Sequence, residues 1–219
     1  MALSNNFRFI LRIYRMKKLF LACFAALATV TFQVQAADLT EGKQYEVLAL
    51  EHSAQPEVVE FFSFYCPHCY SFEMQYKIPE KIKQAIPANA SFKQYHVNFL
   101  GSQGENLTRA WALAMAIGAE DKIRAPLFKA AQANSLRSMD DIRQIFIDNG
   151  VTAEQFDGSI NSFAVTALVN KQTNLAEQFK VRGVPDFYVN NKFHINMEGL
   201  SHDNFVQDYV DTVNELLSK

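Results

Sequence analysis

Cys66 and Cys69 stand three positions apart, with Pro67 and His68 between them, where the apolar run Val58–Phe64 gives out. Only a thiolate attacks a disulfide or leaves from one, so the chemistry of such a pair depends on what lowers a thiol pKa. Pro67 suits the first turn of a helix, where a missing N–H costs nothing. That places Cys66 at a helix N-terminus and Cys69 one turn on. Unpaired N–H groups and the positive dipole end stabilise an anion there. His68, when protonated, adds a second positive charge. These influences draw a thiol below its ordinary value of about 8.5. Stabilising the thiolate stabilises the reduced form, so the disulfide becomes a stronger oxidant; about 1.4 kcal/mol corresponds to about 30 mV. The pattern implies a dithiol/disulfide centre poised toward oxidising its partners.

Two other uses of the cysteines are weaker. A disulfide across so short a loop constrains little of the unfolded chain. A zinc site needs about four ligands. The chain has three cysteines and five histidines, and His52, His68, His96, His194 and His202 are scattered without ligand spacing. No metal and no cofactor are expected. Cys23 falls in a leader, so Cys66 and Cys69 are the pair that remains.

That leader covers residues 1–36. Arg8, Arg12, Arg15, Lys17 and Lys18 precede the apolar run Leu19–Phe32, and Val34-Gln35-Ala36 supplies small residues at a cleavage site. The pattern is that of a signal peptide cleaved after Ala36, and it predicts export to a periplasm. The run is short for a transmembrane anchor. Met16 would make a compact alternative start. The chain carries 21 Lys and Arg against 23 Asp and Glu. The leader takes five of the basic residues and no acid, leaving residues 37–219 near −7. That balance excludes nucleic acid and acidic membrane surfaces as natural partners.

The elements that must hold the dithiol can be read from pattern. Tyr45–Leu48 reads as a first strand and Glu57–Phe62 as a buried one. Glu60 lies inside that run, either at a solvated edge or as a buried acid beneath the cysteines, able to relay a proton to Cys69. A helix interrupted near Pro79 follows, then a strand over Phe92–Phe99 in right-handed parallel crossover with the buried strand. From about Leu107 to Phe179 the pattern is helical, and nothing in it looks catalytic. Leu107, Trp111, Met115 and Ile117 line one helix; Pro126 begins another; Ser138 with Asp141 forms a capping box closed by Gly150. Thr152 with Gln155 opens the next, and Val165 to Phe179 marks a long last one. Gly183–Val189 returns as a strand, turns at Asn190-Asn191 and pairs with Lys192–Ile195 as a hairpin. Ser201 caps a final amphipathic helix.

Three stretches then carry a resemblance: Glu60-Phe61-Phe62-Ser63-Phe64-Tyr65-Cys66-Pro67-His68-Cys69-Tyr70, Tyr95-His96-Val97-Asn98-Phe99, and Arg182-Gly183-Val184-Pro185. Together with the helical block between the two β regions they resemble the DsbA family of exported thiol:disulfide oxidoreductases, over essentially the whole chain after the leader. The resemblance implies an α/β thioredoxin fold with an inserted all-helical domain, its thioredoxin-like parts at 37–100 and 174–219 and the insertion at 101–173. It implies Cys66 as exposed nucleophile, Cys69 as buried partner, and a redox-active Cys66–Cys69 disulfide flanked by Pro67 and His68. Val184 and a cis Pro185 would touch substrate. Glu60 would be a buried acid, with Glu73 in the same charged set. The family often has lysine before the Tyr-His pair; here Gln94 stands there, and Lys93, one place earlier, points to the other face. The implied partners are reduced exported polypeptides and a DsbB-type membrane quinone reductase for reoxidation, with the chain a monomer. A periplasmic isomerase or reductase on the same fold, and a chaperone-like binder using the same groove, are the alternatives.

Overall fold

The computed structural model describes residues 39–219; the expected leader and Cys23 lie outside them. Five strands form one mixed sheet: β1 (Tyr45–Val47), β2 (Glu57–Phe62), β3 (Ser91–His96), β4 (Asp186–Val189) and β5 (Phe193–Ile195), in the order β1-β5-β4-β2-β3. β2 is internal. It pairs parallel with β3 and antiparallel with β4, which explains its near-continuous apolar sequence.

Alternation along β2 divides its side chains between cores. Val59 and Phe61 pack with Tyr95, Phe179 and Tyr188 on one face. On the other face Val58 joins a cluster with Phe187 and Tyr209, while Phe62 joins the cluster of the helical block. Glu60 lies between Val58 and Phe62 on this second face and is 1% exposed. The acid is therefore buried, and the solvated-edge reading of Glu60 is excluded. Register sets Glu60 beside Gln94 and Val59 beside Lys93. Lys93 consequently faces away from Glu60 and pairs instead with Glu57 at 2.5 Å.

The helix that leaves β2 is broken in two stages. α1 (Pro67–Tyr70) runs into a π-helical turn over Ser71–Gln75, and Lys77 with φ 56° ends it. α2 (Ile78–Ala85) then starts with Pro79 in its first turn, where proline is tolerated. The break thus falls just before Pro79. β3 stops at His96, short of Phe99. Val97 N–H still reaches Phe62 O at 2.9 Å, but β2 ends at Phe62, so no strand remains to pair with.

The helical block comprises α3 (Gly104–Ile117), α4 (Glu120–Gln132), α5 (Met139–Asp148), α6 (Ala153–Ser159) and α7 (Phe163–Gln178). Ser138 and Asp141 form the expected capping box, and Thr152 accepts from Gln155 N–H. Pro126 does not begin a helix. It lies inside α4, which starts at Glu120 after the left-handed Gly118. An interior proline costs about 3 kcal/mol; the buried face of Ile123, Leu127, Phe128 and Ala131 offsets it.

β4 begins at Asp186, three residues later than expected, since Pro185 has no N–H to give a neighbouring strand. The hairpin turn is as expected, with Asn190 and Asn191 both at positive φ, 52° and 58°. Asn190 also accepts from Glu57 N–H at 3.2 Å and donates to Leu216 O and Leu217 O at 3.3 Å. It thereby ties the sheet to the end of α8 (Phe205–Leu217). Ser201 does not cap α8. Asn204 holds the N-cap position, and Ser201 N–H instead donates to Asp208 in the first turn at 2.8 Å.

Candidate dithiol site

Cys66 is the N-cap of α1, with extended backbone angles (φ −80°, ψ 116°). It arrives there by a tight turn: Cys66 N–H donates to Ser63 O at 3.0 Å, and Tyr65 N–H to the buried Ser63 Oγ at 3.2 Å. The Cys66 sulfur accepts from Cys69 N–H at 3.1 Å. As a thiol it donates to Val184 O, also at 3.1 Å, so the loop before β4 closes over the dithiol. The Val184–Pro185 peptide is cis. Both cysteines are free thiols; Cys66, expected to be exposed, is buried at 6% because the Val184 loop covers it, and Cys69 is 1% exposed.

The two sulfurs differ in chemistry. Hydrogen bonding from the Cys69 thiol, then from the backbone N–H groups of Cys69 and His68, outweighs burial and brings Cys66 from 9.0 down to about 7. Burial pushes Cys69 strongly the other way, helped by the Cys66 and Glu60 charges. One thiol ionises near neutrality while its neighbour holds its proton. His68 and Pro67 are exposed, and the part of His68 that helps lower Cys66 is its backbone N–H.

Behind Cys69 lies a polar cluster. The Gln94 amide group donates to Glu60 Oε2 at 2.8 Å and to Glu73 Oε2 at 3.0 Å, using both protons of one NH₂. Burial and the Glu73 charge raise Glu60 from 4.5 to about 8. Glu73 comes from the π turn, a distortion frequent at functional sites. His96 is held neutral: its Nε2 accepts from Phe64 N–H at 3.2 Å, leaving Nδ1–H to donate to Thr108 Oγ1 at 2.8 Å. Burial brings it from 6.5 down to about 3.

Helices outside the sheet brace this arrangement. Gln132 Nε2 donates to Phe64 O at 2.8 Å, and Trp111 Nε1 donates to Gln94 O at 2.9 Å. Gln172 on α7 accepts from His96 N–H and donates to Thr108 O. Arg124 on α4 reaches Glu73, with Nε 3.7 Å from Oε1. Sequence reasoning found no chemistry in the helical block and missed Arg124 and Gln172; a lone arginine in an amphipathic helix carries no signal of burial. On the other side of Val184 and Pro185 a groove of about 760 Å³ runs past Leu48, Phe179 and Tyr188.

A DSBA-like thioredoxin domain family model matches residues 57–210. The chain belongs to the DsbA family. It is 65% identical over 205 residues to the thiol:disulfide interchange protein DsbA of Haemophilus influenzae, spanning 93% of this chain and 100% of that one. The Escherichia coli DsbA is 44% identical over 209 residues, with the same coverage. Among solved structures, a complex of Proteus mirabilis DsbA with a non-covalently bound peptide, PWATCDS, superposes with a TM-score of 0.80 at 45% identity. That match covers 84% of this chain and 100% of the other. The thioredoxin fold with its helical insertion, and thiol:disulfide oxidoreductase activity, come with this membership. Within a DsbA frame, the expected residues Cys66, Cys69, Pro67, His68, Val184 and Pro185 converge at one end of the sheet, and Glu60, Glu73 and Gln94 form one cluster beneath them.

Proposed function

We propose that Cys66 and Cys69, as a disulfide, are what this oxidoreductase donates to reduced exported polypeptides. A substrate thiolate attacks Cys66 Sγ; the Cys66–Cys69 bond breaks, its electron pair goes to Cys69, and a mixed disulfide forms. Cys69 then takes a proton. A second substrate thiolate attacks the substrate sulfur of the mixed disulfide, and Cys66 leaves as the thiolate. The substrate loses two electrons and the dithiol gains them.

The observation that carries this reading is the asymmetry between the thiols. Cys66, more exposed and brought down to about 7, is fit to be attacked and to leave. Cys69, pushed far up, protonates once released. Glu60, protonated at neutral pH, is the proton source beneath it. Val184 and Pro185 offer backbone beside the sulfur, and the groove beyond them takes the flanking polypeptide. The Proteus mirabilis complex, which holds a cysteine-containing peptide, supports a peptide occupant.

Export rests on the basic, apolar and small-residue order of the first 36 residues, and reoxidation by a DsbB-type membrane quinone reductase rests on family membership. Among the described residues no helix is long and apolar enough to cross a membrane. The test is to express a Cys69→Ala variant in an exporting cell. Mixed disulfides between Cys66 and exported proteins should accumulate. Recovery of the variant with Cys66 wholly free, while the wild type turns over reduced substrate, would reject Cys66 as the attacked sulfur.

A further inference from the structure

Gln94 can orient two carboxylates but cannot neutralise either. Glu60 and Glu73 both accept from its NH₂ group, so two acids converge on one neutral donor at the floor of the site. At neutral pH Glu60 keeps its proton and the pair carries one charge; once Glu60 ionises, two like charges meet there and a nearby cation decides how readily that happens. Lys93 does not provide it, being on the opposite face with Glu57.

The charged and titratable groups facing Glu60 come from several elements. They are Glu73 on the π turn, Lys83 on α2, Cys69 on α1, Tyr209 on α8 and Arg124 on α4. Of the two cations, Arg124 has the direct geometry. Its side chain is 11% exposed, its guanidinium lies 5.3 Å from the centre of the Trp111 ring, and its Nη1 donates to the exposed Asp121 at 2.9 Å. Its Nε is buried, makes no hydrogen bond among the described residues, and sits 3.7 Å from Glu73 Oε1. Trp111 beneath it also donates to the Gln94 backbone. The arginine, the indole, the glutamine and both acids therefore form one packed unit spanning the helical block and the sheet. Lys83 is turned toward the Phe92 ring, 5.4 Å from its centre. A cleft of about 390 Å³ lined by Glu73, Lys83, Asp121 and Arg124 opens the outer end of this unit to solvent.

We propose that Arg124, carried by the helical block, is a positioning residue for the dithiol: its buried guanidinium holds the Glu73 carboxylate against Gln94 and so sets how readily Glu60 releases its proton. The cation is thus supplied across the boundary between helices and sheet. It acts through Glu73 and touches neither sulfur. Arg124 and Lys83 both favour ionised Glu60, and it is Arg124 that reaches Glu73. The proposal deepens the reading of Glu60 as proton source and rests on it for its consequence in turnover.

The test is a carboxyl ¹³C NMR titration of Glu60 in the reduced protein, its resonance assigned by its loss in Glu60→Gln. Arg124→Met keeps the stem on Trp111 and removes the charge. It should move the Glu60 midpoint up by about one pH unit. Arg124→Lys should restore most of the shift, and Lys83→Met should move Glu60 less than Arg124→Met does. If Arg124→Met does not fold, Arg124→Gln, which keeps a donor toward Asp121, carries the same expectation. An unmoved midpoint in the neutral variant overturns the proposal, as does a Lys83→Met shift as large as that of Arg124→Met. The pH profile of disulfide reduction by a small dithiol is measured alongside in Glu60→Gln. If that profile matches the wild type, Glu60 is not the proton source, while the Arg124 effect on its titration is judged separately by NMR.

Discussion

Glu60→Gln should stabilise the protein, and the gain should grow with pH in a defined window. The folded carboxyl holds its proton up to about 8, against an ordinary 4.5. Below about 4.5 both folded and unfolded chains are protonated there, and burial of the acid carries no titration penalty. Between about 4.5 and 8 the folded state keeps a proton that the unfolded state has released, so stability falls as pH rises. The slope is about 1.4 kcal/mol per pH unit, giving roughly 4–5 kcal/mol across the window. Above about 8 both states are ionised and the loss is complete. Glutamine keeps the shape, and its carbonyl can still accept from Gln94, so the variant escapes the penalty without opening a cavity. Two other groups tilt the wild-type curve the opposite way. His96, held down at about 3, costs stability as pH falls through the range below 6.5. Cys66, held near 7, adds stability above that value. Both are present in variant and wild type, so the difference between the two isolates Glu60. Urea unfolding of the reduced proteins from about pH 5 to about pH 8 measures it. A difference that stays flat across that range, or a wild type that gains on the variant as pH rises, would refute the argument.

Other expectations follow from single contacts. Cys69→Ala removes the hydrogen bond that contributes most to lowering Cys66, and thiolate absorbance should show the Cys66 midpoint rising above about 7; His68→Ala, which keeps its backbone N–H, should move it less. Thr108→Val strands the buried Nδ1–H of His96 and should cost about 1–3 kcal/mol in urea unfolding, with no change in the Cys66 titration. Asn190→Ala removes a bridge from the hairpin turn to β2 and to the end of α8, in a residue at φ 52°; a loss of about 2–3 kcal/mol is expected by the same measurement.

What could be read from the chain alone was whatever depends on near neighbours. The β2 run, the hairpin at Asn190-Asn191, the Ser138 box and the Cys66 N-cap are each decided within a few residues, and each is found where the pattern placed it. The misses in the helices turn on what lies beyond the residue itself. Pro126 reads locally as a helix start, but four apolar residues of α4 packed against the core extend the helix through it. Ser201 reads as a cap, but Asn204 holds the N-cap and Asp208, in the helix's first turn, takes the Ser201 N–H. Tertiary packing decided the first, and no window of sequence contains it; the second turns on a side chain only seven residues on.

The burial of Glu60 shows the same limit from the functional side. Period-two alternation put the acid on one face of β2 and left open what covers that face. The answer is a gap between two cores: Val58 belongs to the α8 side and Phe62 to the helical block, and Glu60 sits at the seam. A polar residue survives at a seam only if partners come from several elements. Gln94 comes from β3, Glu73 from the π turn and Arg124 from α4. The departure at Gln94 therefore looks like a missing charge only while β3 is read alone. In three dimensions a positive charge enters from another element: Arg124 of α4 lies over Trp111 and reaches Glu73. A lysine at 94 would put that charge directly on Glu60. On our proposal an arginine acting through Glu73 puts it one carboxylate away, which fits a Glu60 that stays protonated at neutral pH, as a proton source for Cys69 requires.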